Sequence, residues 1–80
     1  MNIDTHTLIH DFETLGWKRF PRKRTDIAVY QYNDNERLLQ VTIPLDKALS
    51  DYDEAMLNTL KSISDFKRAD LASVIEEYSI

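Results

Sequence analysis

Two runs rich in β-branched, aromatic and aliphatic residues place the strongest constraint on how this chain can fold. They are Ile27 to Tyr32 and Arg37 to Ile43, and they flank Asn33 to Glu36, a polar segment suited to reversing the chain. Two strands joined by so short a segment form an antiparallel hairpin. Pro44 ends the second strand, because proline cannot donate a hydrogen bond within a sheet.

The hairpin register has two alternatives, and they differ in which face meets the core. If Tyr32 pairs with Arg37, one face carries both tyrosines: Ala28, Tyr30, Tyr32, Leu39 and Val41. If Asn35 adopts a left-handed conformation in a three-residue loop with a bulge, one face is aliphatic: Ile27, Val29, Val41 and Ile43. We expect the second register, because it leaves the hydroxyl groups of Tyr30 and Tyr32 on the opposite face, near water or a partner.

Helical spacing predicts a helix before the hairpin, from about Thr5 to Leu15. Its apolar face is Leu8, Ile9, Phe12 and Leu15. Asp4 or Thr5 can accept hydrogen bonds from the free N–H groups at its start, and Gly16 suits the position after its end. Pro21 limits Trp17 to Phe20 to a short edge strand.

Two further helical segments follow the hairpin. Ser50 or Asp51 begins the first, which runs to about Ile63 with this apolar face: Tyr52, Met56, Leu57, Leu60 and Ile63. The second, Arg68 to Tyr78, repeats the pattern with Leu71, Val74, Ile75 and Tyr78. Either Asp65 caps the last helix or the two segments fuse. The expected fold is therefore α+β: a helix, a three-stranded antiparallel sheet, then one or two helices packed on the sheet.

Length and composition limit the remaining possibilities. The chain has 80 residues, of which 42% are hydrophobic and 30% charged, so residues 1–80 are expected to form a single folded domain. It has no cysteine, its start lacks the pattern of a signal peptide, and no apolar run is long enough to span a membrane. We expect a cytoplasmic protein that does not interact with membranes.

Charge is distributed unevenly. Five of the ten basic residues fall within seven positions: Lys18, Arg19, Arg22, Lys23 and Arg24. The chain after Pro44 is rich in acidic residues, so the folded molecule should have two electrostatically different sides. Trp17 and Phe20 interleave with these cations, which is typical of a surface that binds nucleic acid or another polyanion.

No catalytic residue, metal ligand or cofactor site is predicted. The chain has a single glycine, which rules out a glycine-rich phosphate loop, and its serines lack the context of a nucleophile. His6 and His10 have metal-ligand spacing, with Glu13 on the same side, but they belong to the face of the first helix expected to be solvated. The acidic residues Asp51, Asp53 and Glu54 fit favourable interactions with a helix start.

Two stretches resemble known nuclease families without their catalytic residues. LGWKRFPRKRTDIAVYQY, followed by VTIP and TLKSI, is loosely similar to the HicA family of small RNA-cleaving toxins, whose catalytic histidine is replaced here by the segment 24–26, Arg-Thr-Asp. RTDIAVYQYNDNERLLQVTI is similar to the strand pair of PD-(D/E)xK nucleases, with Asp26 as the metal-binding aspartate. Gln40-Val41-Thr42 stands where that family has an acid and a lysine, so neither activity is expected to carry over.

The leading functional hypothesis is a non-enzymatic protein-interaction domain: an adaptor, a regulatory or antitoxin-like subunit, or a homodimer. It rests on a surplus of large side chains for one thin core, namely Trp17, Tyr30, Tyr32, Leu38, Tyr52, Phe66 and Tyr78. The residues expected to contact the partner are Trp17, Lys18, Arg19, Arg22, Lys23, Arg24, Tyr30 and Tyr32. The alternative is a nucleic-acid-binding domain that uses residues 18–24, and a third possibility is a degenerate nuclease that depends on Asp26.

Overall fold

The chain folds into one three-stranded antiparallel sheet with a helix before it and two helices after it, which confirms the predicted α+β class. A computed structural model describes all 80 residues. The elements are α1 (Thr5–Thr14), β1 (Lys18–Phe20), β2 (Ile27–Asn33), β3 (Leu38–Pro44), α2 (Tyr52–Lys67) and α3 (Leu71–Tyr78). The strand order is β1-β2-β3, so β2 is central and the other two strands are edges.

Helix α1 begins and ends with the signals that the sequence carries. The Asp4 carboxylate accepts a hydrogen bond from the hydroxyl of Thr7 at 2.8 Å and a second from the backbone N–H of Thr7 at 3.1 Å. The bond from the hydroxyl is the first cause of the lowered pKa of Asp4, and the bond from the N–H is the second. At the other end Gly16 has a φ of 99°, a left-handed conformation that glycine adopts without steric cost. The N–H of Trp17 then bonds the carbonyl of Phe12 at 3.0 Å, which closes the helix and turns the chain into β1.

The expected hairpin register is wrong. Asn35 does adopt a left-handed conformation, with a φ of 75°, but Tyr30 pairs with Val41 and Tyr32 pairs with Leu39. The face that meets the helices therefore carries the tyrosines: Ala28, Tyr30, Tyr32, Leu39, Val41 and Ile43. This is the face composition of the rejected alternative, although the pairing is displaced by two residues from the Tyr32–Arg37 pair.

The physical reason is that Tyr30 finds a partner for its hydroxyl at the edge of the core. Its ring is fully buried, and its hydroxyl donates to a carboxylate oxygen of Glu13 on α1 at 2.7 Å. Burial and this hydrogen bond both raise the pKa of Tyr30. A buried tyrosine whose hydroxyl is satisfied contributes more apolar area than an aliphatic side chain, so the tyrosine face is the better core face.

The C-terminal segments form two separate helices, but the break lies later than the sequence suggests. Helix α2 continues to Lys67, and Arg68 ends it with a φ of 53°. The N–H of Ala69 bonds the carbonyl of Ser64 at 2.9 Å, as in helices that end on a left-handed residue. Asp70, and not Asp65, caps α3 by accepting a hydrogen bond from the Ser73 N–H.

All three helices contribute to one hydrophobic cluster on the inner face of the sheet. The large side chains that we expected in surplus are mostly inside it: Trp17, Tyr30, Tyr52 and Tyr78 are buried, whereas Tyr32 and Phe66 are half-buried. Only Leu38 is exposed, at 60%. The expected surplus of large side chains outside the core is therefore absent, and α3 adds Val74 and Tyr78 to the cluster. No helix combines the length and apolar character of a membrane span.

Alkaline pH is expected to destabilise the fold through Tyr78. Its ring is fully buried, and burial and the hydrogen bond that its hydroxyl donates to Asp11 (2.6 Å) raise the pKa of Tyr78. An unfolded tyrosine loses its proton near pH 10, so the native state then holds protons that the unfolded state has released. The free energy of unfolding should be unaffected by this group below about pH 10 and fall above it.

This prediction is measured by urea unfolding at several pH values, for the wild-type protein and Tyr78→Phe. Each fully shifted tyrosine contributes a slope of about 1.4 kcal/mol per pH unit. The advantage of the wild-type protein over the variant should therefore shrink as the pH rises above about 10. Parallel curves across this range would contradict the assignment.

Candidate partner-binding surface

Strand alternation separates the cations of β1 onto different faces of the sheet. Lys18 pairs with Gln31 and Phe20 pairs with Val29, so these side chains share the outer face, which no helix covers. Arg19 pairs with Tyr30 and therefore lies at the edge of the inner face. All three side chains of β1 are exposed, because β1 is a short edge strand.

The turn after β1 holds the other three cations, and only one of them is paired. Arg24 donates two hydrogen bonds of 2.8 Å to the two carboxylate oxygens of Asp26. These bonds lower the pKa of Asp26 and raise the pKa of Arg24. Lys18, Arg19, Arg22 and Lys23 have no carboxylate within 4.0 Å, and we call these four residues the basic surface.

An exposed aromatic ring lies within the basic surface. Phe20 is 42% exposed, and the Arg22 guanidinium lies over its ring, 4.9 Å from the centroid. Beside this pair is an open groove of about 300 Å³ whose lining combines cations with apolar side chains: Arg19, Arg22, Arg24, Phe20, Pro21, Ile27, Ala28 and Val29. The groove can accept a ligand that presents negative charge next to an apolar group.

Trp17, Tyr30 and Tyr32, the three aromatic residues expected to contact the partner, pack on the inner face of the sheet and not on the basic surface. Tyr30 is fully buried and Trp17 is 4% exposed, so neither side chain forms part of the basic surface. Trp17 meets the Phe12 ring edge-on at 5.1 Å, and Tyr32 meets Phe66 in the same manner at 4.8 Å. The four cations of the basic surface are thus exposed on β1 and in the turn after it, whereas these aromatic residues pack on the inner face of the sheet.

No group of three or more His, Asp or Glu side chains is placed to hold a metal ion. His6 and His10 are exposed on α1, whereas Glu13 accepts the hydroxyl of Tyr30. Asp26, the aspartate of the nuclease resemblance, has both oxygens engaged by Arg24.

A second groove, which sequence reasoning missed, borders the free edge of β3. Its volume is about 370 Å³, and most of its lining comes from β3 and the C-terminal half of α2, with the rest from Trp17, the hairpin turn and the end of α2. The lining residues are Trp17, Asp34, Arg37, Leu39, Gln40, Val41, Ser62, Asp65, Phe66 and Arg68. No local pattern signals this groove, because it depends on where α2 crosses the sheet. Trp17 lies at its base, and the indole N–H of Trp17 is buried without an acceptor in the chain.

Comparisons with known proteins add no family to this description: no protein-family model matches the chain, and neither curated proteins nor solved structures give a significant match.

Proposed function

We propose that this protein is a non-enzymatic interaction domain that binds an acidic segment of a partner protein through the basic surface. The observation that carries the proposal is the lack of internal partners: four neighbouring cations have no carboxylate within 4.0 Å in a chain that has more acids than bases. An acidic ligand would supply the missing counter-charges. As an adaptor or regulatory subunit, the domain would use this surface to select its partner by charge.

The groove beside Phe20 favours a segment that also carries an apolar side chain. Ile27 and Val29 contribute to the groove next to Phe20, so an aliphatic or aromatic group of the ligand can lose its contact with water there. Carboxylates on either side of that group would reach Arg22 and Arg19. Apolar burial would provide affinity that salt does not screen, whereas the charges would provide selectivity.

A short acidic segment fits better than a long nucleic acid because of the charge on the rest of the domain. The chain after Pro44 contributes eight acidic residues against four basic ones, and the formal net charge is −4. A long polyanion that extended beyond the basic surface would meet this acidic side and be repelled. A peptide that ends within the basic surface avoids that repulsion.

A second candidate function is binding of a short single-stranded nucleic acid. One specific observation favours it: the exposed ring of Phe20 offers a surface on which a base can stack, and cations stand beside it for the phosphates. This function uses the same residues as the first, so only a direct comparison of ligands separates them.

Fluorescence anisotropy with two labelled probes tests the proposal. One probe is a short peptide of Asp and Glu with a single Phe, and the other is a short single-stranded oligonucleotide. We expect the peptide to bind more tightly, with an affinity that falls as salt rises from about 50 to about 200 mM. The double variant Arg22→Ala, Lys23→Ala should bind the peptide about tenfold more weakly, because each exposed charge contact contributes up to about 1 kcal/mol.

The matched control is Lys47→Ala, Lys61→Ala, which removes the same charge from exposed positions that do not belong to the basic surface. Equal losses in the two double variants would show that only net charge matters, and the proposal would fail. Binding of the oligonucleotide alone would favour the second candidate. Absence of binding by either probe at low salt would exclude both.

A further inference from the structure

The free edge of β3 presents backbone groups that no strand pairs. The Asp34 N–H bonds the Arg37 carbonyl, and the Leu45 N–H bonds the Asp26 carbonyl, so these pairs mark the hydrogen-bonded positions at the two ends of the hairpin. Hydrogen-bonded and non-hydrogen-bonded pairs alternate in an antiparallel ladder. The N–H and carbonyl groups of Leu38, Gln40 and Thr42 are therefore directed away from β2.

The part of this edge before Pro44 carries none of the side chains that usually prevent pairing. The residues from Leu38 to Ile43 include no charged residue and no proline. Part of the edge is already engaged, since the Thr59 hydroxyl of α2 lies 3.0 Å from the Thr42 carbonyl oxygen. The backbone groups of Leu38 and Gln40 have no hydrogen-bond partner from a side chain or loop. The open part of the edge is thus the stretch around Leu38 and Gln40.

The groove of about 370 Å³ lies directly beside this open stretch. The apolar part of its lining is Trp17, Leu39, Val41 and Phe66, and the charged part is Asp34, Arg37, Asp65 and Arg68. Two acids and two bases give this groove no net charge, in contrast to the basic surface. Its charge therefore complements an uncharged segment, and its apolar lining complements one large apolar side chain.

We propose that the free edge of β3 binds an uncharged extended segment of a partner protein as a fourth strand. The segment exchanges backbone hydrogen bonds with Leu38 and Gln40 and inserts one apolar side chain into the groove over Phe66. Backbone pairing supplies affinity independently of sequence, and the groove selects the side chain. This site uses none of the residues of the basic surface, so it stands whether or not the function proposed above is correct.

A second copy of the chain fits this edge less well than a short segment. Symmetric pairing of two β3 strands about Gln40 would place Leu38 of one copy opposite Thr42 of the other. The Thr59 hydroxyl already contacts the Thr42 carbonyl, and α2 approaches the edge there. The remaining open edge is too short for a symmetric pair of strands, but it suffices for a few residues of an extended peptide.

The test uses capped, uncharged peptides of alternating Thr and Val with one central Phe. Binding is measured from the changes in the amide NMR shifts of the whole protein. Two N-methylated versions are compared, each methylated on a different alternating set of amides. Only the version that keeps the amides facing β3 should bind, with the largest shifts at Leu38 and Gln40. Gln40→Pro should weaken binding about fivefold or more, because proline has no N–H. The N–H of Gln40 is directed away from β2 and is the group that would bond the peptide.

Gln40→Ala is the variant for comparison, because it removes the same side chain and keeps the N–H; Gln40→Pro should bind the peptide more weakly than Gln40→Ala does. Equal binding of both N-methylated peptides would overturn the proposal, and so would wild-type binding by Gln40→Pro. Peptide-induced shifts centred on Lys18 to Arg24 would place the site elsewhere and overturn it too. A dimer in light scattering with a protected Gln40 amide would assign the edge to a second copy instead.

Discussion

Replacing Phe12 with alanine is expected to lower the free energy of unfolding by about 3–5 kcal/mol. The Phe12 ring is fully buried; it meets Trp17 edge-on at 5.1 Å and stacks on Tyr30 at 6.0 Å. Its removal opens a cavity between α1 and the sheet and ends both aromatic contacts. A domain of 80 residues has a total stability of about 4–12 kcal/mol, so the variant should be only marginally folded.

Urea unfolding followed by tryptophan fluorescence measures this effect, since Trp17 is the single tryptophan and contacts Phe12 directly. Leu15→Ala is the control: it shortens an apolar side chain at the end of the same helix, but Leu15 is 36% exposed. The control should lose less than about 1 kcal/mol. Comparable losses in both variants would contradict the central position of Phe12 in the core.

The element order was predictable because its signals are local. Leu8 and Phe12 lie one turn apart and are buried together, and Gly16 ends α1 in the left-handed conformation for which glycine is suited. The two β-rich runs form the expected antiparallel hairpin, although in a different register, and Pro44 is the last residue of β3. Each of these features depends on residues a few positions apart, so a sequence pattern is sufficient to predict it.

The errors arise where distant residues or unusual backbone conformations decide the outcome. Tyr30 is buried because Glu13, 17 positions earlier, accepts its hydroxyl, and no local pattern reveals that partner. Helix α2 ends at Arg68 in a left-handed conformation that arginine rarely adopts, so the sequence favours an earlier break. The surplus of aromatic side chains disappears because α3 folds back to bury Tyr78 against α1, where its hydroxyl reaches Asp11.

The two candidate sites also differ in how far local sequence predicts them. The cluster of five cations is visible in the sequence, but the pairing of Arg24 with Asp26 and the freedom of the other four emerge only from the folded turn. The β3 edge is less predictable still, because it requires knowledge of the strand order and of where α2 crosses. The basic surface could therefore be predicted from the local sequence, whereas the open edge of β3 depends on the strand order and on the position of α2.

Reversing the charge of the basic surface is expected to exchange its ligand preference. The variant Arg22→Glu, Lys23→Glu should bind the acidic peptide about a hundredfold more weakly than the wild-type protein, because reversal adds repulsion to the loss of attraction that alanine causes. A peptide in which Lys and Arg replace the acidic residues should gain affinity for the variant. The fold should persist, since neither residue has an ion-pair partner and the lost Arg22–Phe20 contact contributes about 0.5–1 kcal/mol at an exposed site.

Both peptides are titrated against this variant and against the control Lys47→Glu, Lys61→Glu. The two variants have equal net charge, so the comparison measures how the position of the reversed charges changes affinity. The control reverses the same number of charges at residues that do not belong to the basic surface, so it should weaken binding of the acidic peptide less, through repulsion that salt near 0.15 M screens beyond about 8 Å. A tenfold or larger difference between the two variants at that salt locates the binding site at the basic surface. Equal affinities would mean that the acidic peptide responds to the overall charge of the domain, and the unpaired cations of Lys18 to Lys23 would then have no specific role in binding.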